Sequence, residues 1–163
     1  MKNRLFRLPP KVNCVMLKNH IYMIGPRGKL KLPLSINFLQ CFNVIQFSRP
    51  LSWPEIVKFK QGLIGVSLSY SLELVLRGVG FRVDNIDNKL VFRLGYSHGV
   101  VIGIPSIITV RVVKNTIYLS SVALTELKNF SSQIRQLKMP DRYKGQGIVY
   151  KNEVLLLKEG KKT

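Results

Sequence analysis

An internal repeat limits what this chain can fold into more than any other feature of its sequence. Residues 19–33 form two apolar runs joined by a turn with a glycine at each end, and the second run ends at a proline. Residues 88–105 show the same order, which is typical of a duplicated supersecondary unit. The matched positions are Gly25, Gly28 and Pro33 in the first copy and Gly95, Gly99 and Pro105 in the second.

A helical pattern follows each copy of the repeat. The first helix is predicted to start near Trp53-Pro54, because Ser52 suits the N-cap and proline suits the first turn. The second is predicted over about Val122 to Leu137, where apolar side chains recur every three or four residues. Ser120 or Ser121 would then cap this second helix.

Strands followed by one helix, found twice, predict an α+β fold. We expect two duplicated modules, each a small, mainly antiparallel sheet packed on one helix. The boundary should fall where the first helix gives way to a strand over Leu72–Val83, so the modules are residues 1–75 and 76–163. Asp84–Asn88 should form a hairpin turn, since Asp and Asn side chains bond to nearby backbone.

The charge balance indicates the class of partner. Of 163 residues, 26 are Lys or Arg and only 8 are Asp or Glu, which gives a formal net charge of +18. Hydrophobic residues make up 46% of the chain, so the positive excess belongs to a protein that can form a core. Such a protein is expected to bind a polyanion, with nucleic acid as the first candidate and an anionic membrane surface as the second.

The sequence lacks the signatures of enzymes and metal sites. The eight carboxylates are scattered, and no nucleophile elbow, Walker loop or zinc-ligand spacing occurs. The chain is therefore predicted not to be an enzyme and to need no cofactor or metal. Cys14 and Cys41 are interpreted as reduced core residues. Proline and polar residues interrupt the uncharged stretches 32–48 and 94–110, so no membrane insertion is expected.

Residues 139–148, which directly follow the second helical pattern, form a candidate nucleic-acid contact. A proline stops the helix, and two glycines allow the backbone to approach another surface. Two cations and one aromatic ring, Arg142, Tyr143 and Lys144, lie between the proline and the glycines. This combination suits a phosphate backbone with unstacked bases, although an ordinary solvated loop has the same composition.

The same segment resembles the C-terminal motif of the L-six family of large-subunit ribosomal proteins. In that family the motif reads Pro, a small polar or acidic residue, any residue, Tyr, Lys, Gly, Lys, Gly and an aliphatic residue. Residues 140–148 depart from it once, at Gln146, where lysine is usual. Five other stretches resemble the family in the same order along the chain. These are Leu8–Val12, Gly25–Leu30, Gly78–Arg82, Leu94–His98 and Lys158–Lys162.

The resemblance implies a structural constituent of the large ribosomal subunit that supports translation. It implies binding to large-subunit rRNA, mainly through the C-terminal module, near the sarcin–ricin loop and the base of the factor-binding stalk. Neighbouring large-subunit proteins at the stalk base and nearby translation factors would be its other partners. Motif matches, with Lys138, Lys161 and Lys162 added from charge and position, give the rRNA-binding set. It comprises Tyr96, Ser97, His98, Lys138, Arg142, Tyr143, Lys144, Gly145, Gln146, Gly147, Lys161 and Lys162.

The compartment and one alternative function rest on the N-terminal part of the chain. Region 35–53 is apolar and Phe-rich without the acidic content usual in bacterial members, which favours a mitochondrial ribosome ahead of a plastid or bacterial one. No acid precedes Glu55, and we interpret the N-terminus as a basic arm, with an organellar transit peptide as the alternative. The alternative function is a basic peripheral membrane protein that binds anionic lipid, which would require a basic amphipathic helix.

Overall fold

The computed structural model describes residues 5–17, 20–33 and 36–160, and these divide into two compact units. The first unit comprises the described residues up to Tyr70 together with Val122–Leu124. The second comprises Ser71–Ser121 and the described residues from Thr125 onward. Both combine short strands with one helix, so the predicted α+β class is confirmed. The module limits 1–75 and 76–163 stay a prediction.

The first unit contains two small sheets and one helix within its described residues. One sheet has the order β1-β6-β5 and the other β2-β3-β4, and neighbouring strands in both are antiparallel. The elements are β1 (Leu5–Arg7), β2 (Asn13–Leu17), β3 (His20–Gly25), β4 (Gly28–Leu32), β5 (Phe38–Cys41), β6 (Val44–Phe47) and α1 (Trp53–Leu68).

Helix α1 begins at the predicted residue because local signals fix its start. The Glu55 carboxylate accepts a hydrogen bond of 2.7 Å from the Ser52 backbone N–H, and it pairs with Arg49 at 2.9 Å. A carboxylate is also favoured in the first turn by the positive end of the helix dipole. The Arg49 hydrogen bond, followed by the Ser52 bond, lowers the pKa of Glu55.

The core of the first unit is built around α1, which packs on both sheets. Phe59 contacts Phe47 edge-to-face at a centroid distance of 5.1 Å and Phe6 at 5.3 Å. Such pairs contribute about 0.5–1.5 kcal/mol each beyond their buried area. Further along the helix, Gly62 lies so close to β3 that an added Cβ would be 2.8 Å from the Met23 sulfur.

The interpretation of both cysteines as core residues is half right. Cys14 is buried in the first core, and that burial raises the pKa of its thiol to about 12. Cys41 is exposed, so the prediction for it is wrong. It ends β5 on the outer face of the sheet, next to Phe42, which lies in the turn with 98% of its surface exposed.

The second unit also has two sheets and one helix within the described residues. The sheets have the orders β10-β9-β8 and β11-β12-β7-β13. The elements are β7 (Tyr70–Arg77), β8 (Arg82–Ile86), β9 (Lys89–Arg93), β10 (Val100–Gly103), β11 (Ile108–Val113), β12 (Thr116–Ser121), α2 (Leu124–Leu137) and β13 (Gly147–Tyr150). Helix α2 contributes Leu127, Phe130 and Ile134 to the core of this unit.

The turns on either side of β8 bear on two predictions, the hairpin turn over Asp84–Asn88 and the strand over 72–83. Asp87 and Asn88 have φ values of 48° and 61°, as a two-residue type I′ hairpin turn requires, so the predicted turn forms at these two residues. Asp84 is paired within β8, so the prediction that it belongs to the turn is wrong. The single strand predicted over 72–83 is wrong. Gly78 and Gly80 adopt φ values of +156° and +76°, which break it into β7 and β8.

The start of α2 also differs from the prediction. The helix begins at Leu124, two residues after the predicted start, and Ser120 and Ser121 belong to β12 rather than to a cap. The Ser121 hydroxyl donates a hydrogen bond of 3.1 Å to the Ile107 carbonyl oxygen, so it serves the neighbouring strand.

No helix in the described part of the chain is long and apolar enough to cross a membrane. Within the same residues, His, Cys, Asp and Glu nowhere form a group of three or more that could hold a metal ion.

Candidate nucleic-acid interface

The loop that joins α2 to β13 comprises residues 138–146 and is called the α2–β13 loop. Backbone hydrogen bonds close it. The Ile148 N–H donates to the Lys138 carbonyl oxygen at 2.9 Å, and the Asp141 N–H donates to the Gln146 carbonyl oxygen at 2.9 Å. These two bonds tie the beginning of the loop to its end. The loop is therefore a compact turn with a defined backbone.

An aspartate fixes the conformation at the tip of this loop. The Asp141 carboxylate accepts hydrogen bonds of 3.2 Å from the backbone N–H groups of Tyr143 and Lys144, which is an Asx-type turn. The Tyr143 bond, followed by the Lys144 bond, lowers the pKa of Asp141. The carboxylate thus organises the backbone of the very residues that carry the cations and the ring.

Two glycines, one in the loop and one at the start of β13, have conformations that other residues rarely adopt. Gly147 has a φ of +145°, and a Cβ there would lie 2.6 Å from the Pro140 Cα atom. Gly145 has a φ of +66°, in the left-handed region. Because residue 147 has no Cβ, the start of β13 can lie directly against the start of the loop.

The polar side chains of the loop face solvent. Arg142, Lys144 and Gln146 are exposed, and Tyr143 is 59% exposed. Neither Arg142 nor Lys144 forms an ion pair with any other described residue. An exposed cation without an internal carboxylate is available to a phosphate group.

Arg135, in the last turn of α2, shows the opposite arrangement. It pairs with Glu153 at 2.5 Å, and its guanidinium lies 5.2 Å from the centroid of the Tyr150 ring. The Glu153 carboxylate also accepts the Tyr150 backbone N–H at 3.2 Å. This cation braces α2 against the segment after β13 and is not free for a ligand.

A second loop, residues 94–98, meets the end of α2, and all of its residues except Leu94 are exposed. The Tyr96 hydroxyl donates a hydrogen bond of 2.9 Å to the Leu137 carbonyl oxygen, and the Lys138 ammonium lies 4.5 Å from the centroid of the Tyr96 ring. Ser97 and His98 are exposed beside it, with 3.4 Å between the Ser97 hydroxyl and the His98 Nδ1. The C-terminal end of α2 thus brings Tyr96 next to Lys138, where the α2–β13 loop begins.

Arg77 joins this surface, although sequence reasoning did not select it. Strand β13 pairs with β7 so that Gly147 lies opposite Arg77. Arg77 and Gly78 line an open depression of about 680 Å³ together with Lys144. The glycines after β7 were the available signal, because they mark a sharp turn directly after a cation.

The remaining predicted positions can be placed only in part. Gly145 and Gly147 are buried, and their part in rRNA binding stays a prediction. Lys161 and Lys162 lie outside the described residues. The segment before them runs along the α2–β13 loop, since the Lys158 N–H donates to the Arg142 carbonyl oxygen at 2.8 Å.

Comparisons with known proteins agree with the resemblance seen in the sequence. The family model described as Ribosomal protein L6 matches residues 77–151. The chain is 34% identical to Large ribosomal subunit protein uL6 of Mycoplasmoides gallisepticum, covering 98% of this chain and 94% of that protein. It is also 34% identical to Large ribosomal subunit protein uL6m of Reclinomonas americana, over 98% of this chain and 97% of that protein. With Large ribosomal subunit protein uL6c of Phaeodactylum tricornutum the identity is 46%, over 61% of this chain and 56% of that protein.

Proposed function

Because the chain belongs to the ribosomal protein L6 family, whose members are structural proteins and not enzymes, we propose that it is a structural constituent of the large ribosomal subunit and binds large-subunit rRNA. The observation that carries the RNA-binding part is the α2–β13 loop. Its backbone is closed by internal hydrogen bonds, whereas Arg142 and Lys144 are exposed and have no carboxylate partner among the described residues.

The chemistry of this binding follows from the side chains of the loop. Arg142 and Lys144 neutralise phosphates, and the release of condensed counterions drives association. The exposed ring of Tyr143 offers a stacking face to an unpaired base. Gln146, where the family pattern has lysine, contributes a hydrogen bond without charge. His98 and the Tyr96–Lys138 pair extend the contact along the end of α2.

The finer location is part of the same proposal. Binding through the C-terminal module, residues 76–163, would place the protein near the sarcin–ricin loop and the base of the factor-binding stalk. Its neighbours there would be other large-subunit proteins, with translation factors close by. We assign it to a mitochondrial ribosome on the acid-poor, Phe-rich region 35–53. Related proteins include bacterial, mitochondrial and chloroplast forms, so co-sedimentation with mitochondrial large subunits from fractionated cells is the decisive measurement.

The RNA-binding proposal is tested by the salt dependence of binding to a transcript that contains the sarcin–ricin hairpin. Each phosphate contact on a duplex contributes about −0.9 to the slope of log K against log salt. The double variant Arg142→Ala/Lys144→Ala should therefore reduce the slope by about 1.8. The matched control is Lys89→Ala/Lys128→Ala, which removes two exposed cations elsewhere in the second unit.

Two outcomes would contradict the proposal. If both double variants change the slope equally, the loop is not the binding surface and the attraction is diffuse. If vesicles of anionic lipid remove the wild-type chain from the transcript at equal charge, the peripheral membrane alternative becomes the better reading.

A further inference from the structure

The sheet β2-β3-β4 of the first unit has two faces of different character. Its inner face is packed, with Ile21 and Met23 fully buried. Its outer face is open, and the central strand β3 presents His20, Tyr22 and Ile24 there in alternation. We call this outer face the β2–β4 platform.

The pairing register arranges the platform as three parallel lines of different chemistry. Tyr22 lies between Val15 on β2 and Lys31 on β4. In the next row of the same face, Ile24 lies opposite Lys29 on β4. The β4 edge is therefore cationic, the β2 edge carries Val15 and Leu17 together with the polar Asn13, and an aromatic ring occupies the centre.

The cations of the platform are positioned to act together with the ring. Lys29 and Lys31 are both exposed, and alternate residues of one strand lie on the same face. The Lys31 ammonium is 6.0 Å from the centroid of the Tyr22 ring. A ligand group bound by that ammonium would thus lie beside the face of the ring.

The charge of the first unit determines which ligand fits. The residues of this unit include eleven Lys and Arg side chains and one carboxylate, Glu55. That carboxylate is already held by Arg49 and by the backbone at the start of α1. Lys29 and Lys31 have no ion-pair partner among the described residues. An occupant of the platform must therefore bring the negative charge.

We propose that the β2–β4 platform binds a single-stranded segment of RNA, as a second contact separate from the α2–β13 loop. Lys29 and Lys31 hold successive phosphates along the β4 edge, and Tyr22 stacks on a base. An open sheet that carries an aromatic ring next to cations is a physical solution for unpaired nucleotides, because every base has a π-face. The carboxylates of an acidic protein would pair with the lysines. Such a protein would, however, bring no planar group to the Tyr22 ring beside Lys31.

The test measures binding of the full chain to a labelled single-stranded RNA of mixed sequence and about 10 nucleotides, which is within the usual site size. The α2–β13 loop is first silenced with Arg142→Ala/Lys144→Ala. In that background, Lys29→Ala/Lys31→Ala should lower the log–log salt slope by about 1.4, since each contact to a single strand contributes about 0.7. The matched control Lys58→Ala/Lys60→Ala removes two exposed lysines from α1 of the same unit and should leave the slope unchanged.

Variants of Tyr22 test the stacking part separately. Tyr22→Phe should bind normally, whereas Tyr22→Leu, which keeps an apolar side chain without a planar ring, should bind about tenfold more weakly. Circular dichroism of each variant checks that the sheet is formed.

Three results would overturn the proposal, and none of them depends on the sarcin–ricin transcript. They are equal slopes for the two lysine pairs, normal binding by Tyr22→Leu, and competition by polyglutamate as strong as that by RNA at equal charge. The last result would identify the platform as a site for an acidic protein.

Discussion

Replacing Gly147 with alanine should destabilise the α2–β13 loop more than the same change at Gly145 or at Gly103. The φ of +145° at Gly147 is one that an L side chain rarely adopts, which costs about 1–3 kcal/mol. The added Cβ would also lie 2.6 Å from the Pro140 Cα and 2.8 Å from the Met139 carbonyl oxygen. Overpacking of this kind costs a further 1–3 kcal/mol, roughly, because backbone atoms cannot rotate away.

Two other glycines provide matched comparisons. Gly145→Ala should cost about 1–2 kcal/mol, because its φ of +66° lies in the left-handed region. Its Cβ would make only ordinary contacts, with the side chains of Leu157 at 3.4 Å and Leu155 at 3.8 Å. Gly103→Ala should be neutral or stabilising by about 0.5–1 kcal/mol, since nothing lies within 4 Å of its Cβ position. The expected order of destabilisation is therefore Gly147, Gly145, Gly103.

Hydrogen exchange at the Ile148 amide reports this order, because that N–H donates to Lys138 across the closed base of the loop. A loss of about 2 kcal/mol corresponds to roughly thirtyfold faster exchange. Urea unfolding of each full-length variant gives the accompanying change for the second unit. Should Gly147→Ala exchange no faster than Gly103→Ala, the steric reasoning about this loop is refuted.

Two further predictions concern titration and thiol reactivity. Because folding lowers the pKa of Asp141, its contribution to loop stability is complete above the unfolded pKa of about 3.9 and is lost as pH falls through the folded value. An NMR titration of the Tyr143 and Lys144 amides should have its midpoint below about 3.9, and a midpoint above it would contradict the Asx-type turn. Burial raises the pKa of the Cys14 thiol to about 12, whereas Cys41 is exposed. A reagent that forms mixed disulfides with thiols should therefore label only Cys41 rapidly in the native protein, and both cysteines in denaturant.

The parts of the fold that the sequence predicted correctly depend on local signals. Helix α1 starts at Trp53 because Ser52, Pro54 and Glu55 act within one turn of each other. The hairpin turn at Asp87–Asn88 likewise needs only two residues that tolerate positive φ. Patterns of this kind are readable without any knowledge of tertiary contacts.

The failures occurred where a distant partner decides the outcome. Ser121 looked like a helix cap, but its hydroxyl bonds to Ile107 across the β11–β12 hairpin. Arg77 became part of the candidate interface only through the pairing of β7 with β13, which are separated by most of the second unit. The approach of Lys138 to the Tyr96 ring is a tertiary contact of the same type.

The scarcity of carboxylates in the first unit affects its stability when no polyanion is bound. The Glu55 carboxylate is the only negative side chain in the first unit, and Arg49 and the start of α1 already use it. The other cations of that unit repel one another in the absence of a polyanion, and dissolved salt screens this repulsion. Added salt therefore stabilises the free first unit while it weakens every phosphate contact, so a bound polyanion acts on this unit as a folding ligand as well as a target.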